Sequence, residues 1–173
     1  MPVATARALT MGLVGGFMAI LFYTQGLPVW AAFIAWACFV EAGGDSAALK
    51  KAIAGNAYGA LLGWGALLVV RFVEVPADTW LWMPRTGLAL VVALAVLGLT
   101  ANMKGIGSIP AALYGFAAVL GVNMAATDVV WTSGQRLVGL RLYNPLFATV
   151  LSMVGGALSG FLASKLAERL SRT

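Results

Sequence analysis

The stretch from Leu27 to Asp45, LPVWAAFIAWACFVEAGGD, is an apolar run that opens with a proline and closes with two glycines between carboxylates. Pro28 suits the first turn of an α-helix, where its missing N–H costs nothing. Gly43 and Gly44 suit the left-handed conformation that ends a helix. A helix from Pro28 to Glu41 would be about 21 Å long, whereas a bilayer core is roughly 30 Å thick. The stretch therefore predicts a short, aromatic membrane helix whose ends lie in protein or in water.

The composition of the whole chain is that of a membrane protein. Of its 173 residues, 61% are hydrophobic and only 10% are charged, whereas soluble domains carry about 25% charged residues. The chain has no histidine and one cysteine, Cys38, so we expect no metal site, no cofactor and no internal disulfide. The net charge of +5 is ordinary for membrane loops and does not indicate a nucleic-acid partner.

Six apolar segments divide the chain, and each is long enough to form a helix. They span residues 8–24, 28–41, 52–70, 86–103, 110–126 and 145–164. Between them we expect a polar connection over Ser46–Lys51, with Ser46 capping the next helix, and a loop over Arg71–Arg85. Residues 127–144 predict an interfacial loop or surface helix, and the chain from Lys165 onward predicts a basic tail. No A-x-A-like cleavage site follows the first segment, so we expect that segment to be retained.

The two halves of the chain have the same order of elements. Each half has a long apolar helix, a short link with glycine, a proline-opened helix with aromatic residues, and a glycine-striped long helix. The predicted fold is therefore an all-α polytopic membrane protein with six transmembrane helices in two inverted three-helix repeats, the middle helix of each being short. Residues 1–173 form a single transmembrane domain, with repeat 1 at about 8–73, repeat 2 at about 84–166 and an interfacial insertion at about 127–144. Short helices at matching positions of inverted repeats are typical of transporter sites.

The charges predict the orientation in the membrane. With six crossings and both termini in the cytoplasm, the cytoplasmic side carries seven of the 11 Lys and Arg residues, and four lie outside. If the two proline-opened helices were re-entrant hairpins, the split would be six to five. The bias therefore favours six crossings. The seven cytoplasmic residues are Arg7, Lys50, Lys51, Lys104, Lys165, Arg169 and Arg172, and the other four are Arg71, Arg85, Arg136 and Arg141.

Short motifs with glycine and aromatic residues recur along most of the chain. They are Gly26-Leu27, Trp30-Ala31, Phe33, Phe39, Gly43-Gly44, Leu49-Lys50, Lys104, Ile109-Pro110, Tyr114-Gly115-Phe116, Gly155-Gly156-Ala157 and Gly160-Phe161. In these motifs the chain resembles the YcdZ-like proteins, a bacterial inner-membrane family of uncharacterised function. The resemblance implies a small multi-pass protein of the bacterial inner membrane, with no assigned catalytic residue.

The candidate site residues are polar or aromatic groups within or beside the apolar segments. Asn56, Asn102 and Asn123 lie one to a helix, and an amide in hydrocarbon needs partners. The three amides either line a path for a solute or tie helices together. Glu41 either recruits a cation at the mouth of a path or lies in a wet loop with Asp45. Phe33 and Tyr114 either line the same path or pack in the core.

Glycines four residues apart form stripes on two of the long helices. Gly55, Gly59 and Gly63 form one stripe, and Gly156 and Gly160 belong to the other. Such stripes let helices pack closely, either within the chain or against another copy of it, and we expect a homo-oligomer.

Two functions are consistent with these features. The first is a channel or secondary transporter for a small polar, neutral or weakly cationic solute, since no basic residue lies within an apolar segment to attract an anion. The second is a non-transporting assembly or accessory subunit whose glycine faces bind partners. We do not expect an enzyme, because the chain lacks histidine, a P-loop and paired carboxylates in mid-membrane positions.

Overall fold

The computed structural model describes residues 1–73, 82–100, 103, 105–106, 108–125 and 137–172. Asn102, a predicted site residue, lies outside these ranges. So do Lys104 and residues 127–136 of the predicted insertion. The described chain is all-helical, which confirms the all-α class. Its six helices are α1 Val3–Thr24, α2 Val29–Glu41, α3 Ser46–Phe72, α4 Trp82–Thr100, α5 Ile109–Ala125 and α6 Pro145–Arg172.

The stretch from Leu27 to Asp45 folds as predicted, into the short helix α2. Pro28 is its N-cap residue. At the other end, Gly43 (φ 117°) and Gly44 (φ 71°) have left-handed backbones. The Gly44 N–H donates to the carbonyl of Phe39 at 3.0 Å, and the Gly43 N–H donates to that of Val40 at 3.1 Å. These two bonds form a Schellman motif, which satisfies the last carbonyls of α2 and turns the chain towards α3.

The prediction of a polar connection over Ser46–Lys51 is wrong, because these residues are the first turns of α3. Asp45 rather than Ser46 caps the helix, since its Oδ1 accepts a hydrogen bond from the Ala48 N–H at 2.7 Å. An Asp carboxylate satisfies an orphan N–H and also favours the positive end of the helix dipole. The earlier start of α3 places Asn56 in the third turn, farther from the helix end than the sequence indicated.

The predicted basic tail is likewise helical, because α6 continues to Arg172. Lys165 pairs with Glu168 at 3.0 Å across one turn of the helix. Such an exposed pair contributes only about 0.2–0.5 kcal/mol, so the length of α6 reflects its packing more than this contact.

Contacts near both ends of each helix pair fix the relative directions of the helices. α3 is parallel to α5, and α2 is parallel to α6. In contrast, α2 is antiparallel to α5, α1 to α6 and α3 to α4. The contacts that define these directions are Gly55–Ala111 with Gly63–Val119, Ala32–Gly156 with Trp36–Gly160, Trp30–Gly121 with Glu41–Tyr114, Met1–Leu170 with Phe22–Gly155, and Val73–Arg85 with Tyr58–Thr100.

The six described helices therefore alternate in direction, and α2 runs from one end of the bundle to the other. We call the end with the start of α1 the Met1 end, and the opposite end the Pro28 end. The start of α1 and the end of α6 lie together, since the Met1 amino group donates to the carbonyl of Leu170 at 3.3 Å. Three helices, Val3–Thr24, Ser46–Phe72 and Pro145–Ser171, are long and apolar enough to cross a membrane, and three apolar helices are shorter.

Alanine-rich packing forms the centre of the molecule, and apolar side chains cover its outside. Ala31, Ala32 and Ala35 of α2 are fully buried. On α1, by contrast, Phe17 is 71% exposed and Ile20 is 68% exposed. Large exposed apolar side chains on a long helix are expected where lipid rather than water surrounds a protein, so the molecule has the surface of a membrane protein.

Candidate functional site

The glycine stripe of α3 lies directly against α5. A Cβ atom built on Gly59 would collide with the backbone carbonyl of Ala112, and one on Gly63 would lie 2.5 Å from a methyl carbon of Val119. Since α3 approaches to backbone contact, no larger residue fits at Gly59 without moving a helix. The predicted packing role of this stripe is thus played within the chain.

The stripe of α6 makes the matching contact with α2. A Cβ atom on Gly156 would collide with the backbone carbonyl of Ala32, and one on Gly160 would lie 2.6 Å from the indole of Trp36. Each of the two short helices therefore packs closely on a glycine-striped helix from the other half of the sequence. The contacts of α5 with α3 and of α2 with α6 therefore hold the two halves of the chain together.

Asn56 is a buried amide in the middle of this arrangement. Its exposed fraction is 1%, and the Oδ1 and Nδ2 atoms have no hydrogen-bond partner among the described residues. Its backbone packs against Gly115 of α5, where a side-chain Cβ would collide with the Asn56 carbonyl. A buried side-chain amide without a hydrogen-bond partner is rare in proteins.

Two further buried polar groups lie on α6, the helix that packs against both α2 and α3. The hydroxyls of Thr149 and Ser152 also have no partner among the described residues. Thr10 on α1 shows the ordinary outcome, because its buried hydroxyl donates to the carbonyl of Ala6 at 3.0 Å. Among the described residues, the only other buried side-chain atom without a partner is Nε of Arg85 on α4, whose Nη1 donates to the carbonyl of Val73 at 2.6 Å. The side chains that make no hydrogen bond at all are therefore those of Asn56 on α3 and of Thr149 and Ser152 on α6.

Glu41 and Tyr114, both predicted site residues, meet at the Met1 end. The Tyr114 hydroxyl donates to Oε2 of Glu41 at 3.2 Å, which links the last turn of α2 to α5. The Glu41 side chain is exposed, so the carboxylate remains accessible to a cation. Phe33 lies elsewhere, since it stacks on Trp36 at 6.2 Å and covers Gly15 of α1.

A cleft of about 430 Å³ opens at the Pro28 end, between the α1–α2 turn, the end of α5 and the start of α6. No charged side chain is among the described residues that line it. Asn123 is half-buried near the end of α5 but is not part of this lining. The lining includes Gln25, Leu27, Trp30, Val122, Tyr143 and Ala148.

Comparison with known proteins places the chain in a family. Residues 8–168 match a family model described as "Protein of unknown function (DUF1097)". The chain belongs to the DUF1097 family. This confirms the prediction of a family without assigned function, whereas the narrower YcdZ-like assignment stays a prediction. No curated protein and no solved structure matches the chain.

The DUF1097 match extends from α1 to α6. Two polar groups within it, the hydroxyls of Thr149 and Ser152, were not predicted as site residues from the sequence. Thr149 and Ser152 lie in an apolar helix, and such hydroxyls usually bond to the carbonyl one turn earlier. Only the structure shows that these two do not. Gln25, directly before the Gly26 turn, is a polar residue in the lining of the cleft at the Pro28 end. Within the described chain, no three His, Cys, Asp or Glu side chains are grouped as a metal site requires.

Proposed function

We propose that this chain is a membrane channel or secondary transporter for a small polar solute that is neutral or weakly cationic. The solute path runs between the two halves, beside the short helices α2 and α5. The observation that carries the proposal is the amide of Asn56, which is buried and has no hydrogen-bond partner among the described residues.

An unpaired amide is expensive in this environment. Leaving a buried polar group without a hydrogen bond costs about 1–3 kcal/mol in proteins, and lipid offers no alternative partner. The fold carries this cost at Asn56 and adds the unpaired hydroxyls of Thr149 and Ser152. A passing solute or water would satisfy these donors and acceptors, so a polar path explains all three together.

The matched helix contacts support two inverted repeats. Gly59 and Gly63 of α3 meet Ala112 and, four residues on, Phe116 of α5. Gly156 and Gly160 of α6 meet Ala32 and, again four residues on, Trp36 of α2. Since α2 and α5 are antiparallel, the two halves have opposite directions. We infer that six membrane crossings form this pair of repeats, with both short helices at the repeat interface, where transporters bind their solutes.

Charge supports an orientation with both termini in the cytoplasm of a bacterial cell. Of the described cationic residues, more lie at the Met1 end than at the Pro28 end, as the positive-inside rule requires of the cytoplasmic side. Alkaline phosphatase, which is active only outside the inner membrane, should therefore be inactive when fused after Thr173, and active when fused after Arg71. An active fusion at Thr173 would contradict the orientation. The residues at the Met1 end are Arg7, Lys50, Lys51, Lys165, Arg169 and Arg172, and those at the Pro28 end are Arg71, Arg85 and Arg141.

Solute-driven swelling of proteoliposomes tests the proposed function. Vesicles that contain the purified chain should swell faster than empty vesicles in an isosmotic gradient of at least one small neutral or weakly cationic solute. Urea, acetamide, glycerol and methylammonium form the panel, and sucrose is the impermeant control. A coupled carrier turns over slowly, so counterflow of radiolabelled solute is measured in parallel. The absence of both swelling and counterflow for the whole panel would contradict the proposal.

The alternative function is that of an accessory subunit without transport. Such a subunit would bind its partners through surfaces other than the glycine faces that the sequence indicated. The glycine faces are covered by α5 and α2 of the same chain, so they are not free for partners. A homo-oligomer, which we also propose, would form through outer faces such as that of α1, where Leu13 and Phe17 are exposed.

A further inference from the structure

We propose that the cleft at the Pro28 end is a binding site for the solute, and that it selects small uncharged molecules with a flat apolar part and an amide-like polar edge. This inference rests on the proposed function and deepens it. Neither the sequence patterns nor the family match assigns a role to this cleft.

The wall of the cleft that carries Tyr143 is held in place by Asn144. The Asn144 side chain is buried and donates from Nδ2 to the carbonyls of Leu137, at 2.8 Å, and Gly139, at 2.9 Å. Its Oδ1 accepts from the N–H of Leu146 at 2.9 Å and so caps α6. The Trp64 indole ties the same segment to α3, because its Nε1 donates to the Leu137 carbonyl at 2.9 Å. A wall fixed in this way loses little entropy when a ligand binds.

Another wall of the cleft is the indole of Trp30. The indole can occupy its position because Gly121 has no side chain. A Cβ atom on Gly121 would lie 2.7 Å from the far edge of the Trp30 ring. The edge of the Trp30 ring can therefore approach α5 closely while 40% of the residue stays exposed. Because Trp30 also lines the cleft, its indole offers aromatic surface to a planar ligand.

The chemistry of the lining favours a neutral ligand. Trp30 and Tyr143 supply aromatic surface, Gln25 supplies an amide that both donates and accepts, and no charged side chain is among the described residues that line the cleft. Small-molecule sites typically combine such apolar walls with a few polar groups that fix orientation. Among the described lining residues an ion would find no counter-charge, whereas a carboxamide would find hydrogen-bonding groups of both kinds.

The cleft also leads towards the unpaired polar groups. Ala148 lies in its lining, and Thr149 is the next residue of α6. Ser152 is one turn deeper on the side of α6 that carries Ala148, or about 6 Å along the helix. Thr149 and Ser152 are fully buried and unpartnered in the described chain. A solute that leaves the cleft along α6 therefore meets hydroxyls before it reaches the level of Asn56.

Protection of an introduced cysteine tests this site without requiring transport. Ala125→Cys in a Cys38→Ala background of the full chain, in detergent, should react with a charged maleimide, because Ala125 lines the cleft and is exposed. The amide of Gln25 is kept in this variant. Benzamide, which has a ring and an amide, should slow this reaction at least about tenfold at saturation. Removing the stacking surface with Trp30→Ala should weaken the protecting affinity of benzamide by about tenfold. The matched control is Tyr23→Cys in the same background, because Tyr23 is 82% exposed at the same end but does not line the cleft.

The outcomes separate this inference from the proposed function. Equal slowing of both cysteines, no slowing of Ala125→Cys, or equal protection by benzoate would overturn the neutral-ligand site even if the vesicles swell. Protection that is specific to Ala125→Cys, sensitive to Trp30→Ala and absent with benzoate would support the site even if no flux is found. Gly121→Ala is the second variant, since the added methyl must displace the Trp30 ring. It should lower protection in the same way, and unchanged protection in this variant would contradict the role of the indole.

Discussion

Gly59→Ala should destabilise the folded chain by about 3 kcal/mol or more, the largest effect expected of a single added methyl group. Overpacking of a core usually costs 1–3 kcal/mol, because side chains can shift to make room. At Gly59 the obstacle is the backbone carbonyl of Ala112, so α3 and α5 must separate as whole helices. Thermal unfolding in detergent, followed by tryptophan fluorescence, should show a melting temperature roughly 6–12 °C lower.

Gly65→Ala is the matched control on the same helix. A Cβ atom on Gly65 meets nothing within 4 Å, so this variant changes helix propensity without changing packing. Alanine is better than glycine in a helix by about 1 kcal/mol, and Gly65→Ala should therefore be neutral or slightly stabilising. Equal melting temperatures for the Gly59 and Gly65 variants would show that the close approach of α3 to α5 is not what stabilises the fold.

The symmetry of the contacts extends this prediction to α6. Gly156 meets the carbonyl of Ala32 as Gly59 meets that of Ala112, so Gly156→Ala should be comparably destabilising. The two glycines secure the two short helices. Each contact joins an element of one half to an element of the other, so a loss at either position weakens the whole bundle and not one half alone.

The sequence predicted those parts of the fold that depend on residues close together in the chain, and it did not predict those that depend on residues far apart in the chain. The ends of α2 follow from Pro28, Gly43 and Gly44, because caps and left-handed turns are local. The glycine stripes predicted close packing because their spacing within one helix is also a local feature. The identity of each packing partner was not predictable, since the choice of α5 for α3 and of α2 for α6 depends on contacts between distant parts of the chain.

The candidate site likewise has features that the sequence predicted and features that it did not. Residue type marked Asn56 as a costly group in an apolar segment, and in the described part of the chain it is buried and has no hydrogen-bond partner. Because Ser46–Lys51 is helical and not a connection, Asn56 lies farther from the start of α3 than expected. Thr149 and Ser152 carried no signal, because a hydroxyl within an apolar helix usually bonds to its own backbone. The contact between Glu41 and Tyr114, 73 residues apart, follows only from the antiparallel packing of α2 against α5.

Asn56→Leu should reduce solute flux to the level of empty vesicles while the chain stays folded. Leucine has nearly the shape of asparagine but offers no donor or acceptor, so the solute loses its polar partner at the centre of the bundle. Removing an unpaired buried amide also removes its desolvation cost, and the variant should be as stable as the parent chain or more stable by about 1–3 kcal/mol. Loss of activity with a gain in stability is the pattern expected of a functional group that the fold tolerates at a cost.

Two further variants decide whether the amide itself matters. Thr10→Val removes a buried hydroxyl that is already bonded to the Ala6 carbonyl at 3.0 Å and so has no free hydrogen-bonding role for a solute, and it should leave flux unchanged. Asn56→Ser keeps a hydrogen-bonding group in a smaller volume and should retain part of the flux that Asn56→Leu loses. The relevant measurements are the swelling and counterflow rates with the solute that the parent chain transports, together with the melting temperature of each variant. Full flux in Asn56→Leu would show that no solute passes this amide, and a lower melting temperature would mean that the amide stabilises the fold.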